Sequence, residues 1–127
     1  MTNKNKRKMV LVAATLALSM GVVVHGAGRF LGFTMNGNSG MAILDCNSNG
    51  CAAAISCPDT EVGVLLRGYY TNLYEEYRLI RTTSMRDYEN AMVVFYNDAT
   101  HVYYEGEAAF SADDYQLGTL YKSANEE

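Results

Sequence analysis

Short runs in which apolar and polar residues alternate occupy most of the chain after residue 28, and this pattern is typical of half-buried β-strands. The clearest case is Val62, Val64 and Leu66, which face one side of a strand while Leu65 and Arg67 face the other. Together with β-branched and aromatic content, the pattern predicts further strands at 29–35, 41–46, 51–57, 92–96, 102–104, 108–111 and 115–121.

Two four-residue turn segments, 47–50 and 97–100, separate pairs of predicted strands. The first is the stronger hairpin signal, because Asn and Gly accept the positive φ that tight turns require. If the strands pair across 47–50, the register follows directly. The residues then facing one another are Cys46 and Cys51, Leu44 and Ala53, and Ala42 and Ile55.

The segment 70–81 carries two competing patterns. Apolar and aromatic residues recur there at helical spacing, and Asn72 with Glu75 would suit a helix cap. Against a helix, residues 77–83 are rich in β-formers, so we predict a strand from about Tyr77. The fold class expected overall is mostly β: a small antiparallel β-sandwich or barrel after an N-terminal signal helix.

The N-terminal segment has the three parts of a secretory signal peptide. Four basic residues and no acidic residue lie among the first eight positions, an uncharged stretch fills 9–24, and small residues follow at 26–28. We therefore predict a signal peptide at 1–26, cleavage near 26–28, and one secreted domain at 27–127. An uncleaved membrane anchor is the alternative, although the apolar stretch is shorter than the ~20 residues that span a bilayer.

The charge of the exported part is strongly acidic. Ten basic and fourteen acidic residues make up the whole chain; without the four basic residues of the signal, six remain against fourteen, a net charge of −8. Phosphate binding needs a basic surface, so we expect no nucleic-acid partner. Contact with a membrane is expected only through the signal segment, if that segment is not cleaved.

Three cysteines, Cys46, Cys51 and Cys57, lie on or beside the predicted hairpin. Export places them in an oxidising compartment, so a disulfide is expected, and one thiol is left over. The hairpin register favours a bond between Cys46 and Cys51. A different register would allow Cys57 to bond to either of them, and the absence of any bond is the remaining possibility.

No catalytic residue, metal site or cofactor is predicted. The segment 45–50 matches the first half of a calcium loop, but the twelfth position is Ser56 where a bidentate Glu is needed. A zinc site of the three cysteines with His101 has the wrong spacing. A Cys–His nucleophilic pair would require a contact that the sequence does not indicate.

The tyrosines are the most unusual part of the composition, since all ten lie in the exported part. Tyrosine combines a large contact area with a polar tip, which suits binding surfaces, and it is also a good strand residue. The candidates for a binding face are the pairs Tyr69–Tyr70 and Tyr103–Tyr104. The expected function is that of a secreted, non-enzymatic β domain that binds a protein or cell-surface partner. The alternative is a secreted antimicrobial or toxin-like protein of the bacteriocin type.

Overall fold

The computed structural model describes residues 28–72 and 75–125, which form six β-strands and no helix. The strands, numbered in chain order, are β1 Arg29–Met35, β2 Asn38–Asn47, β3 Gly50–Asn72, β4 Glu75–Tyr96, β5 Val102–Ala112 and β6 Tyr115–Ser123. Every pairing between them is antiparallel. The mostly β fold is therefore confirmed, while the predicted signal segment lies outside the described residues.

The first hairpins agree closely with the sequence pattern. β1 has the predicted bounds, and the turn after β2 gives the predicted register, with Cys46 opposite Cys51 and Leu44 opposite Ala53. The predicted turn at 97–100 separates β4 from β5. Turn chemistry decided the registers of the β1–β2 and β2–β3 hairpins locally, because Asn and Gly allow the backbone to reverse within a few residues.

The structure differs from the expectation in how the middle of the chain is divided. The strand predicted at 51–57 and the one predicted around Val62, Val64 and Leu66 are one continuous strand, β3, and the segment after it is a second long strand, β4. Of the two patterns at 70–81, the predicted strand is the one present, and it begins at Glu75, two residues before the predicted start. β3 and β4 pair along almost their whole length, so backbone hydrogen bonding between them outweighs the local helical spacing.

A bulge bends the β3–β4 hairpin near its middle. The register shifts between Ser56 and Glu61, where four residues of β3 face the single residue Glu89 on β4, so that β3 carries three extra residues. Asp59 and Glu89 both have positive φ, at 52° and 69°. Irregular positions of this kind bend strands and increase their twist, which lets one hairpin serve two walls of a barrel.

The sheet curls into a nearly closed barrel around this bent hairpin. The sheet order is β1-β2-β3-β5-β6, with β4 on β3. On β3, the first half pairs with β2, the second half pairs with β5, and β4 follows both halves. β6 then contacts β1 and β2, which brings the two ends of the sheet together. The interior between the walls is apolar and includes Leu44, Ile55, Leu66, Phe95 and Phe110.

Gly68 leaves the space that two aromatic rings of the core occupy. A methyl group there would lie 2.7 Å from carbon atoms of both the Phe95 and Tyr103 rings, which are themselves stacked with centroids 5.3 Å apart. We expect Gly68→Ala to lower the free energy of unfolding by about 1–3 kcal/mol, the usual effect of overfilling a packed core. Urea denaturation measures this change, and Gly32→Ala is the matched control because no atom lies within 4 Å of the added methyl.

Candidate interaction surface

The outer edge of β4 carries the longest run of exposed residues among the described ones. Residues 80–88 are all exposed, on both faces of the strand. β4 pairs with β3 along one edge, and no other described strand pairs with its second edge. An edge of this kind presents alternate N–H and C=O groups away from the sheet, which is a template for another strand.

Along 80–88, polar side chains stop the core from extending across β4. Its inward positions lie beside the buried Val62, Val64 and Leu66 of β3, and they carry Asp87, Met85 and Thr83. Only the middle one of these, Met85, is apolar, and it is about half exposed. Beside this part of β4 the apolar interior therefore ends at β3, and 80–88 form a rim that extends beyond it.

Two arginines of this rim are held in place by contacts within the chain. The guanidinium of Arg86 pairs with Glu61, Nε to Oε1 at 2.9 Å, and with Asp114. Arg81 lies over the Phe95 ring at 4.6 Å from its centroid and donates from Nη1 to the hydroxyl of Tyr103 at 3.3 Å. These contacts limit the entropy that either side chain would lose on binding a partner.

A shallow cleft of about 310 Å³ lies beside Arg86 on the outer surface. Its lining includes Gly63 of β3, which pairs with Arg86 of β4 and with Ser111 of β5. Small and polar side chains dominate the outer positions here. The cleft adds concave surface next to the open edge of β4.

The regular part of the edge ends at Tyr88 and Glu89. The positive φ of Glu89 interrupts the strand, and its Oε2 accepts a hydrogen bond from the Asp59 N–H at 2.8 Å. The Tyr88 hydroxyl donates to Asp59 Oδ1 at 3.3 Å. Strand pairing along a straight edge is therefore available from Ile80 to Tyr88.

The four tyrosines predicted as a binding face do not share one exposed surface. Tyr103 is 1% exposed in the core, and Tyr69 is largely buried with its hydroxyl donating to Glu107 Oε2 at 3.2 Å. Tyr70 is half-buried and packs against the His101 ring, with centroids 4.9 Å apart. A role in binding stays a prediction for the two that are half-buried, Tyr70 and Tyr104. Among the tyrosines whose exposure the structure describes, the exposed ones are Tyr88, Tyr96, Tyr115 and Tyr121.

The predicted disulfide is present between Cys46 and Cys51, whose Cα atoms are 4.1 Å apart. Cys57 is the free cysteine, and it is buried in the same apolar interior. Burial raises the pKa of the Cys57 thiol, partly offset by a hydrogen bond with Thr60. A thiol that stays protonated and inaccessible is a poor nucleophile.

The segment 45–50, which matches the first half of a calcium loop, forms the turn end of the β2–β3 hairpin. Oδ1 of Asp45 accepts a hydrogen bond from the Cys46 N–H at 2.9 Å and pairs with Lys122 Nζ at 3.1 Å. Asn47 donates from Nδ2 to Asp45 Oδ2 at 3.1 Å and accepts from the Asn49 N–H at 2.8 Å. Both carboxylate oxygens of Asp45 are thus engaged within the chain.

His101 belongs to the turn between β4 and β5. Asp98 Oδ1 accepts hydrogen bonds from the N–H groups of Thr100 and His101, both at 2.8 Å. These bonds, led by that of Thr100, hold the pKa of Asp98 at about 2, below its usual 3.8. Because the folded value is the lower one, this contribution to stability is present above pH ~4 and is lost as the pH falls towards 2.

Comparisons with known protein families, with curated proteins and with solved structures give no match. Within 28–72 and 75–125, no three His, Cys, Asp or Glu side chains are grouped so as to hold a metal ion. No helix in this part of the chain has the length and apolarity that spanning a bilayer requires.

Proposed function

We propose that this chain is a secreted, non-enzymatic β domain that binds another protein by accepting a strand at the edge of β4. The observation that carries the proposal is the run 80–88, nine consecutive exposed residues on a strand whose second edge no other described strand covers. Natural sheets usually shorten, bulge or cover such an edge, because it invites pairing with other chains.

Strand addition suits the side chains of this edge. The added strand gains backbone hydrogen bonds along its length, while alternate side chains select the partner. Ile80 and Tyr88, which are 56% and 60% exposed, offer apolar contact at the two ends of the run. Between these two ends, Arg81 carries a positive charge and Asp87 a negative charge.

The cysteine and histidine contacts support a function without catalysis. Cys46 and Cys51 are bonded to each other, Cys57 is buried, and the contacts of His101 order the turn in which it lies. Secretion is supported by the signal-like N-terminal segment and by the disulfide, since such bonds persist in oxidising compartments.

The proposal is tested by binding of the labelled exported protein to cells and to secreted proteins of the producing culture. Ser84→Lys places a charge in the middle of the β4 edge, the device by which natural edges prevent pairing. The matched control is Thr34→Lys, which makes the same change at an exposed position of β1, a strand that does not pair with β4.

We expect saturable binding by the wild type and by Thr34→Lys, and a loss of at least about tenfold in affinity for Ser84→Lys, or ~1.4 kcal/mol. Both variants change an exposed side chain, so their melting temperatures should stay close to that of the wild type. Equal binding by the two variants would place the contact elsewhere on the protein, and an absence of saturable wild-type binding would refute the proposal.

A further inference from the structure

We infer that the strand accepted by β4 is the β4 strand of a second copy, so that two chains pair antiparallel about a twofold axis. This inference rests on the proposed function and names the partner of the same edge. In a twofold interface each residue faces a residue of the same surface patch on the other chain. Residues near the start of 80–88 must therefore be complementary to residues near its end, because these face one another in the dimer.

Strand geometry leaves few registers for such a pair. Along β4, alternate residues direct their backbone N–H and C=O groups towards the open edge. Two residues of an antiparallel pair can face one another only if the backbone N–H and C=O groups of both are directed towards the shared edge, or those of both are directed away from it. The two residue numbers must therefore differ by an even number, and the twofold axis passes between one residue and the same residue of the other copy. Three registers keep at least seven of the nine exposed residues paired, and they are centred on Thr83, Ser84 and Met85.

The register centred on Ser84 is the complementary one. It pairs all nine residues and places Arg81 opposite Asp87 of the other copy, twice per dimer. It also places Ile80 opposite Tyr88 twice, which covers exposed apolar side chains at both ends. Opposite charges and aromatic–β-branched pairs are the cross-strand neighbours that stabilise antiparallel sheets.

The other two registers are less favourable for identifiable reasons. Centring on Thr83 puts Ile80 opposite Arg86 and leaves Arg81 opposite Met85. Centring on Met85 puts Arg81 opposite Glu89, where the positive φ and the contact with Asp59 interrupt the straight edge. Charge, apolar matching and backbone geometry thus favour the same axis.

The expected dimer is small. Nine paired residues give roughly eight to ten backbone hydrogen bonds, because each hydrogen-bonded pair exchanges two. This number of hydrogen bonds is usual for a protein interface. The surface area that one strand edge buries is at the low end of the range for specific interfaces. The net charge of each chain opposes association, but at physiological salt that repulsion is screened over about 8 Å.

The test uses the fact that only the Ser84-centred register places residue 84 opposite itself. Ser84→Lys and Ser84→Glu each set two like charges face to face, whereas a mixture of the two variants sets opposite charges face to face. Analytical ultracentrifugation of the exported protein measures self-association of each variant and of the equimolar mixture. The same two substitutions at Thr34 of β1 are the control, and circular dichroism melting checks that every variant is folded.

We expect the wild type to dimerise, each Ser84 variant to dimerise at least about tenfold more weakly, and the mixture to regain wild-type affinity or exceed it. Asp87→Arg, which faces Arg81 with a second arginine, should weaken the dimer similarly. A mixture no tighter than its components would overturn the register. A wild type that stays monomeric, yet binds another protein in a manner sensitive to Ser84→Lys, would overturn the second copy as partner and leave strand addition standing.

Discussion

Lys122→Met is expected to lower the free energy of unfolding by about 3–5 kcal/mol, the usual effect of leaving one charge of a buried ion pair alone. Lys122 is 1% exposed and Asp45 is 4% exposed. The ammonium group donates to Asp45 Oδ1 and to the Cys46 carbonyl oxygen, the latter at 2.7 Å. Without it, the carboxylate stays buried with only neutral donors, while the methionine fills nearly the same space.

A second variant separates the charge from the packing. Asp45→Asn combined with Lys122→Met removes both charges and keeps an acceptor for the Cys46 N–H, so it should recover most of the loss. Arg67→Met serves as control, because the ion pair of Arg67 with Glu107 is long, at 3.9 Å, and substantially exposed. Urea denaturation should show an effect below about 1 kcal/mol there. If Lys122→Met lowered the free energy of unfolding by as little, a buried ion pair between Lys122 and Asp45 would be contradicted.

Removal of the disulfide is the second large expected effect. Cys46→Ala with Cys51→Ala should lower the stability by about 2 kcal/mol, the chain-entropy value for so short a loop. For a domain of this size that corresponds to a fall in melting temperature of roughly 10 °C. Thermal melts of the wild type with and without a thiol reductant, beside the double variant, measure it.

Comparison of the wild type with the double variant, each with and without reductant, is the control for that experiment. The reduced wild type should melt near the double variant, and the double variant should not respond to reductant at all. Cys57 is a single buried thiol, so it contributes no reducible bond within the chain. If the wild type melted at the same temperature under both conditions, the bond would add nothing to stability.

The local parts of this fold were predictable because short-range chemistry decides them. The Asn and Gly of 47–50 set the hairpin register, and that register alone put Cys46 opposite Cys51. The alternation at Val62, Val64 and Leu66 likewise identified a core-facing side that the structure buries. In each case the residues that determine the feature are close in sequence.

The features missed by the sequence analysis depend on contacts between distant parts of the chain. Nothing in the sequence links Lys122 to Asp45, 77 positions earlier, so Asp45 was considered only as a calcium ligand. The tyrosine pairs suggested a binding face, yet the register of β3 and β5 directs Tyr103 into the core. The exposed edge did leave a signal, because the apolar residues of 80–88 follow neither strand nor helix periodicity.

The most direct measurement of the β4 contact is disulfide cross-linking of Ser84→Cys. Residues directly opposite one another across antiparallel strands have Cα atoms about 4.5–5.5 Å apart, within the range that a disulfide spans. Mild oxidation should therefore convert Ser84→Cys to a covalent dimer on a non-reducing gel, while Thr34→Cys and the wild type, with Cys57 buried, stay monomeric. Cross-linking no faster for Ser84→Cys than for Thr34→Cys would contradict pairing of two chains through β4.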